Sequence, residues 1–400
     1  MKNSADIIII GGGIVGMATA MILKEKGTRS ITVIEAENEI AAHQTGHNSG
    51  VIHSGLYYKP GSLKAKNCVM GRERLYRFCE ENNIEHEHCG KVVIATDESE
   101  ISTLMMLEER GTANELKGIK RLRGDEIKEY EPHASGIAGL FVPETGIVNY
   151  TPVTNKYAEL FRNKGGKIIT NCRFLSLEQK TDQLILQTTK GGLECRLLVN
   201  CGGLYSDRIA KKCGVEPGLR IVPFRGEYYK LKKEKEYLVN NLIYPVPDPR
   251  FPFLGVHFTR MIKGGVEAGP NAVLAFKREG YSRNDISLKD LSQMMMFTGF
   301  WKMAAKYYKM GFAEFYRSFS KNAFVRSLQK LIPEITEDCI EPGGSGVRAQ
   351  ALERDGKFTD DFRIIESRRM IHVLNAPSPA ATASLSIGDK ISELILRRLN

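Results

Sequence analysis

The 400-residue chain lacks the features that would place it across a membrane or outside the cell. No apolar run approaches the roughly 20 residues that a membrane-spanning helix needs. No apolar signal or arginine-rich transit segment precedes the first strand pattern, which begins by Asp6. The eight cysteines are scattered without a Cys-x-x-Cys pair, as expected of reduced thiols. We therefore expect a cytoplasmic protein.

The sequence also has no internal repeat and no low-complexity linker. The run His86-Glu87-His88-Cys89 contains metal-binding side chains, but we interpret it as a solvated strand end and predict no metal site. The length exceeds what one compact core usually holds, which favours two domains. Hydrophobic residues make up 42% and charged residues 26%, as in ordinary globular proteins.

Acidic residues are scarce in one segment, and much of the net charge of +10 is concentrated there. Residues 300–332 contain seven Lys or Arg and one acid, Glu314. Apolar residues recur in it at helical spacing: Trp301, Ala305, Tyr308, Phe312, Phe315 and Phe319. This pattern fits a helix on an anionic membrane, here the inner face of the cytoplasmic membrane, or a core helix with a solvated basic face. No nucleic-acid module accompanies the charge, so we predict no nucleic-acid partner.

A dinucleotide-binding fingerprint is present at the start of the chain. An apolar run is followed by Gly11-Gly12-Gly13-Ile14-Val15-Gly16, a helical pattern and a second apolar run that ends in Glu35. Gly11 permits the tight turn, Gly13 lets the backbone approach a pyrophosphate, and Gly16 allows close helix packing. The helix N-terminus then faces the phosphates. Glu35 is spaced to bind ribose hydroxyls and would repel a 2′-phosphate, which argues against NADP.

Only one such fingerprint is present, although a flavoprotein reduced by a nicotinamide nucleotide would usually need two. A single bound cofactor must therefore act directly on the substrate. The run Gly46-His47-Asn48-Ser49-Gly50 offers backbone N–H groups and short polar side chains near that cofactor. A dissociable nicotinamide would not require this second contact run.

The order of the predicted elements indicates two discontinuous domains. A Rossmann-like α/β domain is expected from 1–85, 146–215 and 340–400. The inserted second domain, 86–145 and 216–339, is expected to be α+β with a mostly antiparallel sheet.

Within the first domain we expect a hairpin over 167–188 and a Gly-rich turn at 343–350. Ligands of such sheets bind beyond the carboxyl ends of the strands. Four segments should therefore meet at the cofactor: 11–16, Glu35, 201–203 and 375–382.

A long block from His43 to Ala65 contains Gly46-His47-Asn48-Ser49-Gly50-Val51-Ile52-His53-Ser54-Gly55. Further blocks lie at 222–228, 243–245, 251–259, 269–281, 346–351 and 375–382. Together they resemble the L-2-hydroxyglutarate dehydrogenase/oxidase branch of an FAD-dependent family related to D-amino-acid oxidase and glycerol-3-phosphate dehydrogenase. The match weakens at 97–120 and in the basic segment.

The resemblance implies FAD as cofactor and oxidation of L-2-hydroxyglutarate to 2-oxoglutarate, with hydride transfer from C2 to flavin N5. Oxygen, a quinone and an electron-transfer flavoprotein remain open as electron acceptors. The alternatives are an amino-acid or amine oxidase of the same fold, and a membrane-recruited FAD-binding protein without this substrate. The expected cofactor contacts are Gly11, Gly13, Ile14, Val15, Gly16, Glu35, Ala36, Thr45, Gly46, His47, Asn48, Ser49, Gly50, Phe174, Cys201, Gly202, Gly346, Pro379, Ala380, Ala381 and Thr382.

The implied substrate is a dianion and needs a cationic or strongly donating partner at each end. Arg348 can hold one carboxylate through two parallel hydrogen bonds, and it matches the arginine that binds the substrate carboxylate in related oxidases. The candidates for the far carboxylate are Arg225, Lys277 and Arg278, with a hydroxyl added by Tyr244 or Tyr228.

The alcohol proton must leave as the hydride does. A neutral imidazole suits this task, because an unperturbed histidine titrates near ~6.5. His53, in the flavin-adjacent run, and His257, on a predicted strand of the second domain, are the candidates, with a slight preference for His53. Backbone N–H groups at 377–382 would stabilise charge that develops at the flavin N1/C2 carbonyl.

Overall fold

The computed structural model describes residues 4–28, 30–248 and 254–399, so residues 251–253 of the sequence block at 251–259 lie outside it. Its strands are Ser4–Ile10 (β1), Ile31–Ile34 (β2), Val51–Ile52 (β3), His86–Glu87 (β4), Lys91–Ala95 (β5), Lys120–Arg123 (β6), Ala138–Val142 (β7), Gly146–Val148 (β8), Lys167–Ile169 (β9), Phe174–Gln179 (β10), Leu184–Thr188 (β11), Gly191–Asn200 (β12), Leu219–Leu231 (β13), Leu242–Pro245 (β14), His257–Arg260 (β15), Val266–Gly269 (β16), Val273–Leu274 (β17), Ile340–Glu353 (β18), Arg363–Ser367 (β19) and Met370–Asn375 (β20).

Its α-helices are Ile14–Glu25 (α1), Leu63–Glu81 (α2), Ile101–Ala113 (α3), Ile127–Tyr130 (α4), Tyr150–Asn163 (α5), Ser206–Lys212 (α6), Leu288–Met295 (α7), Thr298–Phe319 (α8), Lys321–Gln329 (α9) and Ser384–Leu399 (α10). Among the residues that the structure describes, none of these helices is long and apolar enough to cross a membrane.

The first large sheet contains the fingerprint strands. Its order is β10-β11-β12-β1-β2-β9, with β20 on β12 and β19 on β20. Strand β1 runs parallel to both neighbours, so Ile9 lies opposite Val33 and Val199. Along β1, Ile7 and Ile9 pack in one core and Ile8 and Ile10 in another. Burial on both faces explains why β1 is continuously apolar.

The second large sheet is mostly antiparallel, with the order β17-β13-β16-β15-β14-β5-β7-β6 and β18 beside β13. Strands β13 and β18 pair along nearly their whole length, which places Phe224 opposite Arg348 and Gly226 opposite Gly346. The remaining strands form a small sheet, β3-β8-β4. The predicted class, an α/β Rossmann-like part with a mostly antiparallel second sheet, is confirmed.

Two local predictions are wrong. The expected hairpin over 167–188 does not form, because β9 joins β2 in parallel, with Ile168 opposite Val33, while β10 pairs with β11. The expected turn at 343–350 is part of strand β18. Gly346 is required there by packing, since a Cβ on it would lie 2.4 Å from the His47 carbonyl oxygen.

Candidate active site

The carboxyl ends of β1, β2 and β12 meet at a cavity of about 1050 Å³. Residues of both large sheets line it. The predicted cofactor contacts among them are Gly11, Gly13, Ile14, Val15, Glu35, Ala36, Thr45, His47, Asn48, Ser49, Phe174, Cys201, Gly202, Gly346, Pro379, Ala380, Ala381 and Thr382. The four segments expected beyond the strand ends are therefore brought together.

The Gly-rich turn leaves no room for side chains. Gly11 has φ +110, and a Cβ on it would lie 2.4 Å from the Cys201 carbonyl oxygen. A Cβ on Gly16 would lie 2.1 Å from the Gly11 carbonyl oxygen. Gly16, Gly46 and Gly50 do not line the cavity; they lie behind it and support its loops.

Two polar side chains hold the turn in place. Glu35 accepts hydrogen bonds from the backbone N–H of Gly12 at 2.7 Å and of Glu37 at 3.0 Å. The Thr45 hydroxyl accepts one from the Ile14 N–H at 3.0 Å. Helix α1 begins here with no acid in its first turn, so the positive end of its dipole is available to an anion.

Both candidate bases line the same cavity. Nδ1 of His257 lies 2.8 Å from the Gly255 carbonyl oxygen, which can only accept, so Nδ1 carries the proton and Nε2 keeps a free lone pair. Nε2 of His53 lies 3.3 Å from the Ser378 hydroxyl, and the His53 N–H donates to the Thr382 hydroxyl at 3.1 Å.

Both imidazoles are neutral near neutral pH. Burial, followed by the charge of Lys91, lowers the pKa of His53 to about 3. Burial, with the charges of Arg348 and Lys91, lowers the pKa of His257 to about 3 as well. The ring of His257 also stacks on Tyr244, with centroids 3.9 Å apart. The site therefore contains two imidazoles that are ready to accept a proton.

The predicted substrate residues divide into two groups. Arg348, Tyr228 and Tyr244 line the cavity. Arg225, Lys277 and Arg278 are not among the residues that line it.

Two of these three side chains, Arg225 and Arg278, are buried and are held by partners within the fold. Arg225 donates to Glu227 at 2.9 Å and to the Ser282 carbonyl at 3.1 Å. Arg278 donates to Asp207 at 2.7 Å, and this pair is almost fully buried. Each arginine neutralises a carboxylate within the fold. Because its charge is already paired, its presence is no evidence for an anionic ligand.

Sequence reasoning missed several polar residues of the site. Lys64, Arg110 and Tyr57 line the cavity. Lys91 is buried behind them, with Nζ 4.3 Å from the Tyr57 ring centroid and 5.0 Å from that of Tyr244. Burial lowers the pKa of Lys91 to about 7. Lys64 was recognisable from the resembling block, whereas Arg110 lies where the resemblance weakens.

The run His86-Glu87-His88-Cys89 lies away from the cavity. Ligand atoms of Glu80, His86 and His88 lie within 4.8 Å of one another. His88 also stacks on Tyr76. The absence of a metal here stays a prediction.

The chain belongs to the FAD dependent oxidoreductase family, whose model matches residues 6–394. It is 55% identical to the L-2-hydroxyglutarate dehydrogenase of Indibacter alkaliphilus over 98% of this chain and 99% of that protein. It is 46% identical to the L-2-hydroxyglutarate dehydrogenase of Escherichia coli, covering 96% and 92%. The structure of FAD-bound L-alpha-glycerophosphate oxidase from Mycoplasma pneumoniae shares the fold, with TM-score 0.80, 20% identity and coverage of 98% and 95%.

The cavity fits FAD, the cofactor of this family. The side-chain-free turn at 11–13 and the open N-terminus of α1 suit the diphosphate. Glu35 and Phe174 line the wall near that turn, as expected of a ribose and adenine site. The imidazoles and Arg348 line another part of the same cavity, so cofactor and substrate can meet there.

We expect Gly16→Ala to weaken FAD binding at least ~10-fold, about 1.4 kcal/mol. The added methyl would collide with the Gly11 carbonyl and displace the turn. Flavin absorbance per mole of purified protein, followed by titration with FAD, measures the effect. The matched control is Gly311→Ala, where a Cβ meets nothing within 4 Å. Full FAD content in Gly16→Ala would contradict this account of the turn.

Proposed function

We propose that this FAD-dependent oxidoreductase oxidises L-2-hydroxyglutarate to 2-oxoglutarate. The observation that carries the proposal is that the neutral imidazole of His257 and the guanidinium of Arg348 line the same FAD cavity. The identity of 55% and 46% with two L-2-hydroxyglutarate dehydrogenases over nearly whole chains supports it. When bound, FAD supplies the acceptor for the hydride that leaves C2.

Arg348 orients the substrate. Its guanidinium can donate two parallel hydrogen bonds to the C1 carboxylate. Tyr228 and Tyr244 lie within its electrostatic reach and add hydroxyl groups to the same wall. This arrangement sets the C2 hydroxyl beside His257, because C2 is bonded directly to the bound carboxylate.

His257 takes the hydroxyl proton through Nε2. Its Nδ1 is already committed to the Gly255 carbonyl, so the ring presents one defined acceptor. The bound dianion raises the pKa of the imidazole and strengthens it as a base. His53, which the sequence slightly favoured, has no such fixed tautomer; its contacts to Ser378 and Thr382 position the segment before α10.

The proposal is tested by mixing the FAD-loaded protein with substrate without oxygen. L-2-hydroxyglutarate should bleach the flavin, and D-2-hydroxyglutarate should not. L-glutamate serves as a control for the amino-acid oxidase alternative, since an oxidase of that kind would be bleached by the amine instead. Bleaching by neither hydroxy acid would exclude the proposed substrate.

His257→Gln should slow flavin reduction by roughly 10²–10⁴-fold with little change in FAD content, because glutamine keeps a donor but cannot accept the proton. His53→Gln should have a smaller effect. In the unmodified protein the acid limb of kcat/KM should lie well below pH 6, since the base loses activity only when protonated and the pKa of free His257 is about 3.

Rapid-mixing kinetics gives the rate of flavin reduction in each variant, and a pH series on the unmodified protein gives the acid limb of kcat/KM. A larger loss in His53→Gln than in His257→Gln would assign the base to His53. An acid limb near the ordinary histidine pKa would contradict the burial argument.

We further propose that helix α8 rests on an anionic membrane surface. Its predicted aromatic residues mostly face outward: Trp301, Tyr308, Phe312 and Phe319 are 53–73% exposed. Lys302, Lys306 and Lys309 share the exposed surface. The one acid of the segment, Glu314, points into the protein and accepts a hydrogen bond from the Ala272 N–H at 2.9 Å.

An outward aromatic stripe among lysines matches an interfacial helix better than a core helix. A protein held there has access to a lipid-soluble quinone as electron acceptor, with oxygen and an electron-transfer flavoprotein as the alternatives.

Changing Lys302, Lys306 and Lys309 together to Glu should weaken binding to vesicles with anionic phospholipid by about 100-fold or more, as each lysine contributes about 1 kcal/mol at such a surface. Co-sedimentation with anionic and with neutral vesicles measures it. The matched control changes Lys164, Lys190 and Lys233, which are exposed elsewhere. Equal sedimentation of both variants would refute a specific role for α8.

A further inference from the structure

The cavity contains more positive charge than one carboxylate requires. Besides Arg348, its lining includes Arg173, Arg208, Lys212, Lys289, Lys64 and Arg110. The first four of these form one group: Arg173 and Arg208 each lie 5.7 Å from the Tyr205 ring centroid, and Lys212 interacts electrostatically with both arginines and with Lys289. That group belongs to the side of the cavity where Cys201 and Gly202 meet the dinucleotide turn. Lys64 and Arg110 are the two lining cations that lie outside this group.

Lys64 and Arg110 flank the same short loop. The ammonium of Lys64 lies 5.2 Å from the Tyr58 ring centroid. Arg110 donates to the backbone carbonyl of the neighbouring Tyr57 at 3.2 Å. The two cations come from different helices, α2 and α3, and both line the cavity. The charge of Lys64 also helps to lower the pKa of His53.

Neither cation is paired with a buried carboxylate among the described residues. Lys64 donates to the carboxylate of Asp360 at 3.0 Å and to its backbone carbonyl at 3.2 Å. The side chain of Asp360 is 93% exposed, and ion pairs with such exposed groups are weak. Within the described ranges, Arg110 makes no ion pair, so most of its N–H donors remain for a ligand.

The remaining lining suits a short dicarboxylate. Both imidazoles line the same cavity as Arg348, Lys64 and Arg110. The charge of Arg348 contributes to the lowered pKa of His257, and that of Lys64 to the lowered pKa of His53. Met106, Leu107 and Leu254 line the same cavity and offer apolar contact to methylene groups.

We propose that Lys64 and Arg110 bind the second, distal carboxylate and make the enzyme selective for dicarboxylic over monocarboxylic 2-hydroxy acids. The proposal rests on the proposed function. It assigns the C1 carboxylate to Arg348 and the C5 carboxylate to the Lys64 and Arg110 pair. These residues replace Arg225, Lys277 and Arg278 as the partners of the distal group.

The test compares L-2-hydroxyglutarate with L-2-hydroxyvalerate, which has the same five-carbon chain but no second carboxylate. Each of Lys64→Met and Arg110→Met should lower kcat/KM for the dicarboxylate about 10- to 100-fold, as expected for loss of a charged hydrogen bond. The value for the monocarboxylate should stay within about threefold, and Lys64→Arg should restore selectivity. Binding of glutarate, followed through the flavin spectrum, should weaken in parallel.

Lys66→Met, an exposed change two residues along α2 and on the opposite side of the helix, is the matched control and should leave both substrates unaffected. A parallel fall for both substrates, or unchanged selectivity in both methionine variants, would overturn the subsite. FAD content of each variant identifies a folding defect, in which case Lys64→Gln and Arg110→Gln remove the same charges and give the same comparison. Failure of L-2-hydroxyglutarate to reduce the unmodified protein would instead refute the proposed function.

Discussion

The site depends on the close contact between strand β18 and the segment 43–50. A Cβ on Gly346 would lie 2.4 Å from the His47 carbonyl oxygen, and the Ala349 N–H donates to the Gln44 side chain at 3.0 Å. Strand β18 belongs to the second large sheet, whereas 43–50 follows the acid of the fingerprint. This contact therefore sets where Arg348 lies relative to the cofactor, and β13 places Tyr228 by pairing with β18.

Burial then decides the chemistry of the enclosed groups. A charged imidazole loses solvation in the cavity, and the nearby cations disfavour it further, so His53 and His257 stay neutral. The same cations are suited to an anionic substrate. A bound dianion would neutralise these cations and at the same time raise the basicity of the imidazole. Substrate charge and base strength are coupled in this account.

Local patterns predicted much of the fold because their causes are local. The glycines, the paired apolar runs and Glu35 lie within one strand-helix-strand unit, and each has a steric or electrostatic reason visible in the sequence. The partner of β9 was not predictable in this way, because an apolar run does not specify which strand it joins. Gly346 likewise resembles a turn glycine until the His47 carbonyl is seen against it.

The same distinction between local patterns and tertiary contacts applies to the predicted substrate residues. Arg348 could be predicted from a block that resembles a known family, but Arg225 and Arg278 were indistinguishable from it by residue type. Their ion pairs with Glu227 and Asp207 are contacts of the folded state, which the sequence does not show. Arg110 carried no sequence signal, since it reaches the cavity only through the packing of α3.

The most direct test is a crystal structure of the FAD-loaded protein with 2-oxoglutarate. The account predicts the C1 carboxylate on Arg348, the C2 oxygen facing Nε2 of His257, and the C5 carboxylate between Lys64 and Arg110. Density with the distal carboxylate directed elsewhere, or the molecule bound with its two ends exchanged, would contradict it.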